Sequence, residues 1–353
     1  MQTASPPLRI APLSPGLVEP VVAAAPAIEN PLAKFFPPYA EGDERFNRWT
    51  SIPYVFVHAV GLIGAGFAIA YGQVTWVDIL LCGIFYYLRM FGITAGYHRY
   101  FSHRAYKTGR VFQFILAFIG TTSLQKGVLW WAAHHRQHHK YSDQERDIHS
   151  PVTRSFHWAH QGWFLCGRFD RTDWERIQDF AKYPELRWLN KNFRAPAIGS
   201  VVLMFLIGWL VRGDLMGGLR AGLWGGFLST VLLWHGTFTI NSLAHVWGSR
   251  RYKTTDDSRN NFFLALITMG EGWHNNHHHY QSTANQGFFW WEIDLSYYVL
   301  KVLSWFGVVW DLRTPPPHVL RAKASEADAT EMPARRMPMA EPVPAESSAF
   351  TAP

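Results

Sequence analysis

Apolar residues gather into runs along this chain, and the lengths of the runs predict its architecture. A helix crossing the hydrocarbon core of a bilayer needs about 20 consecutive, mostly apolar residues. Pro53 to Tyr71 meets that length with no charged residue, His58 aside. After Gly72 and Gln73 the run Val74 to Ala95 is apolar apart from Asp78 and Arg89. So short a loop predicts a hairpin. Ala195 to Val211 and Ala221 to Ile240, joined by a turn at Arg212 to Arg220, predict a second one. The expectation is an all-α integral membrane protein with four transmembrane helices in two hairpins. Val111 to Gly120 is apolar too, but Thr121, Thr122, Ser123, Gln125 and Lys126 interrupt it early. That segment is expected to lie buried or at the interface, without crossing.

Composition narrows the class. With 48% hydrophobic, 16% aromatic and 17% charged residues in 353, the chain is no disordered protein. Its two cysteines, Cys82 and Cys166, sit among apolar residues, which excludes a disulfide framework and a cysteine-ligated zinc or iron–sulfur site. Residues 1–44 and 313–353 are rich in Pro and Ala and are expected to be mobile tails around one domain, 45–312. The N-terminus lacks a basic start, compact apolar run and cleavage site, so no signal peptide is expected. The formal charge is +7, and Arg99, Arg104, Lys107 and Arg110 follow the second span while Arg187, Lys191 and Arg194 precede the third. By the positive-inside tendency that side, with both termini, is cytoplasmic. No basic stripe stands apart from these flanks, so nucleic acid is not an expected partner.

The candidate chemistry lies in the 17 histidines, most of them clustered: His98 with His103, then His135, His138 and His139, then His274, His277 and His278. Positions i, i+3 and i+4 of a helix fall within about a third of a turn, so the second and third clusters can each aim three imidazoles at a metal. The i, i+5 pair His98 and His103 lies about 140° apart on an α-helix and needs a kink, a helix end or two metals. In the four-span topology all three clusters emerge on one face, which a crossing by residues 111–131 would prevent. At the same end of the fourth span, Asn241 and His245 stand one turn apart, making His245 a ninth candidate ligand. Nine imidazoles exceed what one metal uses, so two are implied; imidazole suits iron, zinc or copper, and iron fits oxygen chemistry. His58, His134, His149, His157, His160, His235, His279 and His318 lack the mutual spacing and are not expected to ligate, although His134 and His279 adjoin the clusters.

The segments GITAGYHRYFSHRAYK (92–107), HHRQHHKYSD (134–143), NSLAHVWG (241–248) and GEGWHNNHHHY (270–280) stand in an order that resembles the membrane fatty-acyl desaturases, specifically the acyl-CoA Δ9 (stearoyl-CoA-type) branch, over residues 45–312. The resemblance implies four transmembrane helices under a cytosolic helical cap, a histidine-ligated di-iron site, O2 as co-substrate and a narrow bent acyl tunnel. It implies as ligands His98, His103, His135, His138, His139, His245, His274, His277 and His278, with Asn241 holding a metal-bound water. Gln125 and Trp131 are similar to residues lining the tunnel.

The implied reaction inserts a cis double bond, Δ9, into a saturated long acyl chain. One departure concerns the carrier: Ala133-His134 replaces the Arg-Asp pair that contacts CoA in animal members, leaving acyl-CoA, lipid-linked chains and acyl carrier protein open. No electron-transfer extension is visible, so a separate donor of cytochrome b5, ferredoxin or rubredoxin type, with its reductase, is expected. A bacterial inner membrane is the expected location, with the endoplasmic reticulum as alternative. A fatty-acid or lipid hydroxylase on the same scaffold is the competing enzyme reading. A metal transporter would be expected to place its ligands within its spans.

Overall fold

The computed structural model describes residues 44–322, and their principal elements are helices. In chain order these are α1 (Arg48–Ala70), α2 (Trp76–Ser102), α3 (Arg110–Thr121), α4 (Val128–Tyr141), α5 (Pro184–Lys191), α6 (Arg194–Arg212), α7 (residues 215–241), α8 (His274–His279) and α9 (Leu295–Trp305). A two-residue ribbon pairs Lys107 with Trp310 and Thr108 with Val309, antiparallel.

Local sequence explains the boundaries. Asn47 caps α1 by accepting the Trp49 amide at 3.0 Å, and Thr75 with Asp78 forms a capping box at the start of α2. Asp214 caps α7 by accepting the Gly217 amide. Between the paired helices, Gly72 and Gly213 take φ of +63° and +74°, a left-handed conformation that costs glycine nothing for want of a Cβ.

Among the described residues, three helices are long and apolar enough to span a membrane: α1, α2 and α6. In the most apolar stretches of α1 and α6 only 22% and 28% of residues are buried, leaving Val55, Phe56, Phe67, Ile198, Leu203 and Leu210 facing outwards. Such a surface suits lipid, not water. The fourth expected run falls inside α7, a continuous helical path whose middle, Gly222–Leu228, is π-helical. Gly222, Gly225, Gly226, Ser229, Thr230 and His235 dilute its apolar character, which separates it from the other three. Segment 111–131 is two helices broken at 122–127, where Leu124 and Lys126 adopt φ of +57° and +62°; α3 is too short to cross.

α2 and α3 cross in close contact. A Cβ on Gly92 would sit 2.5 Å from the Gly120 nitrogen, so only glycine permits the approach. Around that crossing Tyr97, Phe101, Leu116, Leu129, Ile177, Leu186 and Leu189 form the largest buried apolar cluster, which seats α4 and α5 over the end of α2. Residues 313–321, assigned to a tail by composition, return to the fold: the Arg313 amide donates to the Ala105 carbonyl at 3.1 Å, and Val319 is buried beside Tyr252 and Phe288. The remaining tail assignments, 1–43 and 323–353, lie outside the described residues.

Candidate metal centre

Four parts of the chain deliver histidines to one place. The end of α2, Gly92–Ser102, is π-helical, and the His103 amide donates to the His98 carbonyl at 3.2 Å, an i to i+5 bond. Five residues make slightly more than one π turn, so the spacing awkward for an α-helix here brings the two rings to 4.8 Å. α4 carries His135, His138 and His139, α8 carries His274, His277 and His278, and the turn after α7 supplies His245.

The nine form two groups. His98, His103, His135, His139 and His277 offer nitrogens all within 4.8 Å of one another, and so do His138, His245, His274 and His278. In the five-histidine group Nε2 faces Nε2 at 3.0 Å (His98 and His277), 3.1 Å (His103 and His135), 2.9 Å (His135 and His139) and 2.9 Å (His139 and His277). In the four-histidine group His245 and His274 face at 3.1 Å. Two metal–imidazole bonds of about 2.1 Å at a right angle place their nitrogens about 3 Å apart, so the spacing fits cis ligands of a metal. Among the described residues the buried Nε2 of His278 has no hydrogen-bond partner, a lone pair directed at the same place.

Carboxylates fix which nitrogen is free. Nδ1 of His98 lies 2.5 Å from Glu271, that of His138 2.9 Å from Asp147, that of His245 2.8 Å from Asp143 and that of His278 2.7 Å from Asp256. A proton held on Nδ1 leaves Nε2 as a lone pair, the carboxylate–histidine arrangement that orients metal ligands. Three of these carboxylates serve the four-histidine group and one the five-histidine group. Burial opposes ionisation of Asp143, but the facing His245 outweighs it and holds the carboxyl down at about 2. Asp147 and Asp256 are held lower still by His138 and His278 against the same burial. Burial first, and neighbouring imidazoles second, push His103, His135, His139, His274 and His277 well below the ordinary range, so they stay neutral and able to ligate. Behind the site, fully buried Arg99 pairs with Glu271 at 3.0 Å and Asp294 at 2.9 Å, anchoring the carboxylate that holds His98.

None of the four carboxylates was singled out from sequence. Proximity is the signal for three of them: Asp143 and Asp147 follow the second cluster by four and eight residues and Glu271 precedes the third by three, whereas Asp256 adjoins none of the clusters. His149, set aside from its spacing, stacks on His138 at 4.2 Å, and with Asp147 completes a further close trio. His134 is buried with Nδ1 2.8 Å from the Trp130 carbonyl, and His279 stacks on Tyr252 at 4.1 Å. His58, His235 and His160 form a chain of contacts at 3.1 and 2.9 Å outside both groups.

A cavity of about 460 Å³ adjoins the histidines, with His135, His149 and Asn241 in its wall. Gln125 and Trp131 line it as well. Trp131 stacks on His135 at 4.8 Å, and Gln125 donates to the Thr237 hydroxyl at 3.0 Å. Much of the remaining wall is apolar, including Val57, Phe164, Val201, Trp234 and Phe238.

Residues 74–305 match the family model for fatty acid desaturases. The Delta-9 desaturase-like 5 protein of Arabidopsis thaliana is 37% identical over 243 residues, 68% of this chain and 78% of its own. The sn-2 palmitoyl-lipid 9-desaturase of Nostoc is 32% identical over 277 residues, 76% of this chain and 92% of its own. The hex-5-enoyl-[acyl-carrier protein] acetylenase of Moorena producens is 33% identical over 282 residues, 76% of this chain and 87% of its own. A match of this extent makes the chain a member of the fatty acid desaturases, membrane-bound oxidoreductases that use O2 to introduce double bonds into acyl chains.

Proposed function

We propose that the two histidine groups hold two iron ions and that the adjoining cavity presents the Δ9 region of a saturated long acyl chain to them. The observation carrying this reading is the Nε2 geometry: nine imidazoles, five and four, with facing nitrogens about 3 Å apart and none of the nine on an exposed residue. Bound there, the iron pair supplies the O2 chemistry that an unactivated methylene requires and no side-chain acid or base performs.

The chain's own residues supply position. Asp143, Asp147, Asp256 and Glu271 lock four imidazole tautomers. Trp131, held against His135, and Gln125, held by Thr237, set where the acyl chain passes the centre. The apolar wall excludes water from the reacting carbons. Asn241, at the end of α7 and in the cavity wall, is the residue proposed to hold a water beside the metals.

The reading includes a fourth span in α7, which brings α1, α2, α6 and α7 to two hairpins beneath a cytosolic cap with both termini on the cap side. The cationic flanks Arg104, Lys107, Arg110, Arg187 and Lys191 support that orientation. A bacterial inner membrane is the proposed location. Electrons come from a separate donor of cytochrome b5, ferredoxin or rubredoxin type. The test is purified protein with reductant and donor: two irons per chain, O2 consumption and a cis-monounsaturated product are expected. An alcohol product would establish a hydroxylase instead.

A further inference from the structure

The run Phe262 to Met269 is apolar apart from Thr268 and is far too short to cross a bilayer. It folds as a short helix, Phe262–Ile267, followed by a turn at 268–270, and the two ends of the loop meet: the Asn261 amide donates to the Gly272 carbonyl at 2.8 Å. Gly272 permits that closure, since a Cβ there would lie 2.1 Å from the Ala265 nitrogen. The loop reaches down between α2 and α7. The Tyr86 hydroxyl of α2 donates to the Ile267 carbonyl at 2.7 Å, and Met269 shares a buried cluster with Met90 of α2 and with Val231 and Trp234 of α7. Tyr86 stands ten residues along α2 from Trp76, about 15 Å of helix, which is about half the hydrocarbon thickness.

The outward side of the loop is apolar. Phe263, 66% exposed, lies parallel to Trp247, 51% exposed, with ring centres 6.5 Å apart. Phe262 against Phe263, Ile267 one turn further and Val246 beside Trp247 are exposed as well. Tyr87, adjoining Tyr86 on α2, is exposed too, so the patch continues the lipid-facing surface of that span. The backbone gives a second, independent sign. Water satisfies the last carbonyls of an exposed helix but hydrocarbon cannot, so a segment lying in lipid needs donors from the protein. The carbonyls of Leu264, Ala265, Ile267 and Met269 accept from the Thr268 amide at 2.9 Å, the Gly270 amide at 2.7 Å, the Tyr86 hydroxyl and the Ser296 amide at 3.0 Å.

We propose that Val246, Trp247, Phe262, Phe263 and Ile267 form a lipid-contact surface outside the spans, on a re-entrant loop sunk into the cap-side leaflet between α2 and α7, with bilayer hydrocarbon as its partner. This goes beyond the desaturase reading and rests only on α2 as a span. Trp247 follows His245 by two residues and the loop leads into Glu271 and α8, so the contact fastens two histidine-bearing segments to the membrane. In water, so large a group of exposed aromatic and aliphatic side chains would favour association; in lipid it is at rest.

The test uses the full-length protein, one copy per nanodisc of phosphatidylcholine and phosphatidylglycerol. A nitroxide on Phe263→Cys is probed by power-saturation electron paramagnetic resonance for collisions with O2, which concentrates in hydrocarbon, and with a water-soluble nickel chelate. Ile79→Cys, exposed on α2, is the lipid reference and Asp311→Cys the water reference, with wild type, whose two cysteines are buried, as the blank. The O2-to-nickel ratio at position 263 is expected to match Ile79→Cys and exceed Asp311→Cys. A second measurement reads the sign of a polar substitution: Phe263→Asp is expected to lower Tm in nanodiscs while Phe263→Leu leaves it unchanged, whereas at a water-facing site the two would be alike. A ratio at 263 equal to that of Asp311→Cys, a label closed to both probes, or equal Tm values for Phe263→Asp and Phe263→Leu would overturn the proposal. The desaturase reading is tested separately by product analysis and stands or falls apart from these results.

Discussion

Replacing Asp256 by Asn separates the two histidine groups. Asp256 Oδ2 lies 2.7 Å from His278 Nδ1, and its other oxygen accepts the Ser258 amide at 3.0 Å. Asparagine keeps the shape and one acceptor but removes the charge that fixes the His278 tautomer and raises its basicity. Loss of such a partner typically weakens metal binding 10–100-fold, about 1.4–2.7 kcal/mol. His278 belongs to the four-histidine group only, so a single metal equivalent should weaken. The assay is a chelator-competition titration of solubilised protein with Fe2+ or Co2+: wild type is expected to show two binding steps, and Asp256→Asn to displace one. Glu271→Gln, which acts on His98, should displace the other. Asp311→Asn, in an exposed pair with Lys107, is the control and should move neither. Unchanged steps in Asp256→Asn, or equal displacement of both, would refute the assignment of carboxylates to groups.

Three further outcomes follow from the packing and electrostatics. Gly92→Ala drives a methyl into the α3 backbone at Gly120, a clash no side-chain rotation relieves, and should cost at least about 1–3 kcal/mol, visible as a lowered Tm with intact α-helical circular dichroism at low temperature. Metal-free protein should lose thermal stability as pH falls below about 6.5: the buried ligand imidazoles, held neutral by burial and by each other, protonate first in the unfolded chain, so their contribution is present above that pH and lost below it. A Tm unchanged between about pH 7.5 and 5.5 would contradict this. Trp131→Ala removes the ring stacked on His135 and widens the cavity at the centre, so product analysis should show a lower rate and a mixture of double-bond positions; one position at the wild-type rate would exclude Trp131 from positioning the chain.

Periodicity made part of this molecule legible. The i, i+3, i+4 clusters on α4 and α8 aim their rings together because an α-helix has the period that the spacing assumes. The His98 and His103 pair showed where that reasoning runs short: its spacing belongs to the π-helix at the end of α2, and an α-helical period hid the agreement. The four carboxylates were illegible for another reason. Asp143, Asp147, Asp256 and Glu271 come from irregular segments outside the helices, where no repeat marks which residue will face a distant imidazole. The apolar runs at α1, α2 and α6 were readable from length alone, whereas Ala221 to Ile240, expected as a fourth span on the same ground, falls in α7, whose glycines, hydroxyls and histidine leave it outside the three helices long and apolar enough to cross. The break at 122–127 was foreshadowed by its polar residues, but the left-handed turns at Leu124 and Lys126, which put Gln125 in the cavity wall, depend on tertiary packing.

The most direct test of the central claim is gas chromatography of fatty-acid methyl esters from a desaturase-deficient host expressing this chain, with dimethyl disulfide adducts to place any double bond and a His138→Ala control, since His138 joins the four-histidine group to its Asp147 partner. A new cis-monounsaturated acid with a single Δ9 bond, absent from the control, is the predicted result. A hydroxylated acid, or the same unsaturated acid persisting in the control, would contradict it.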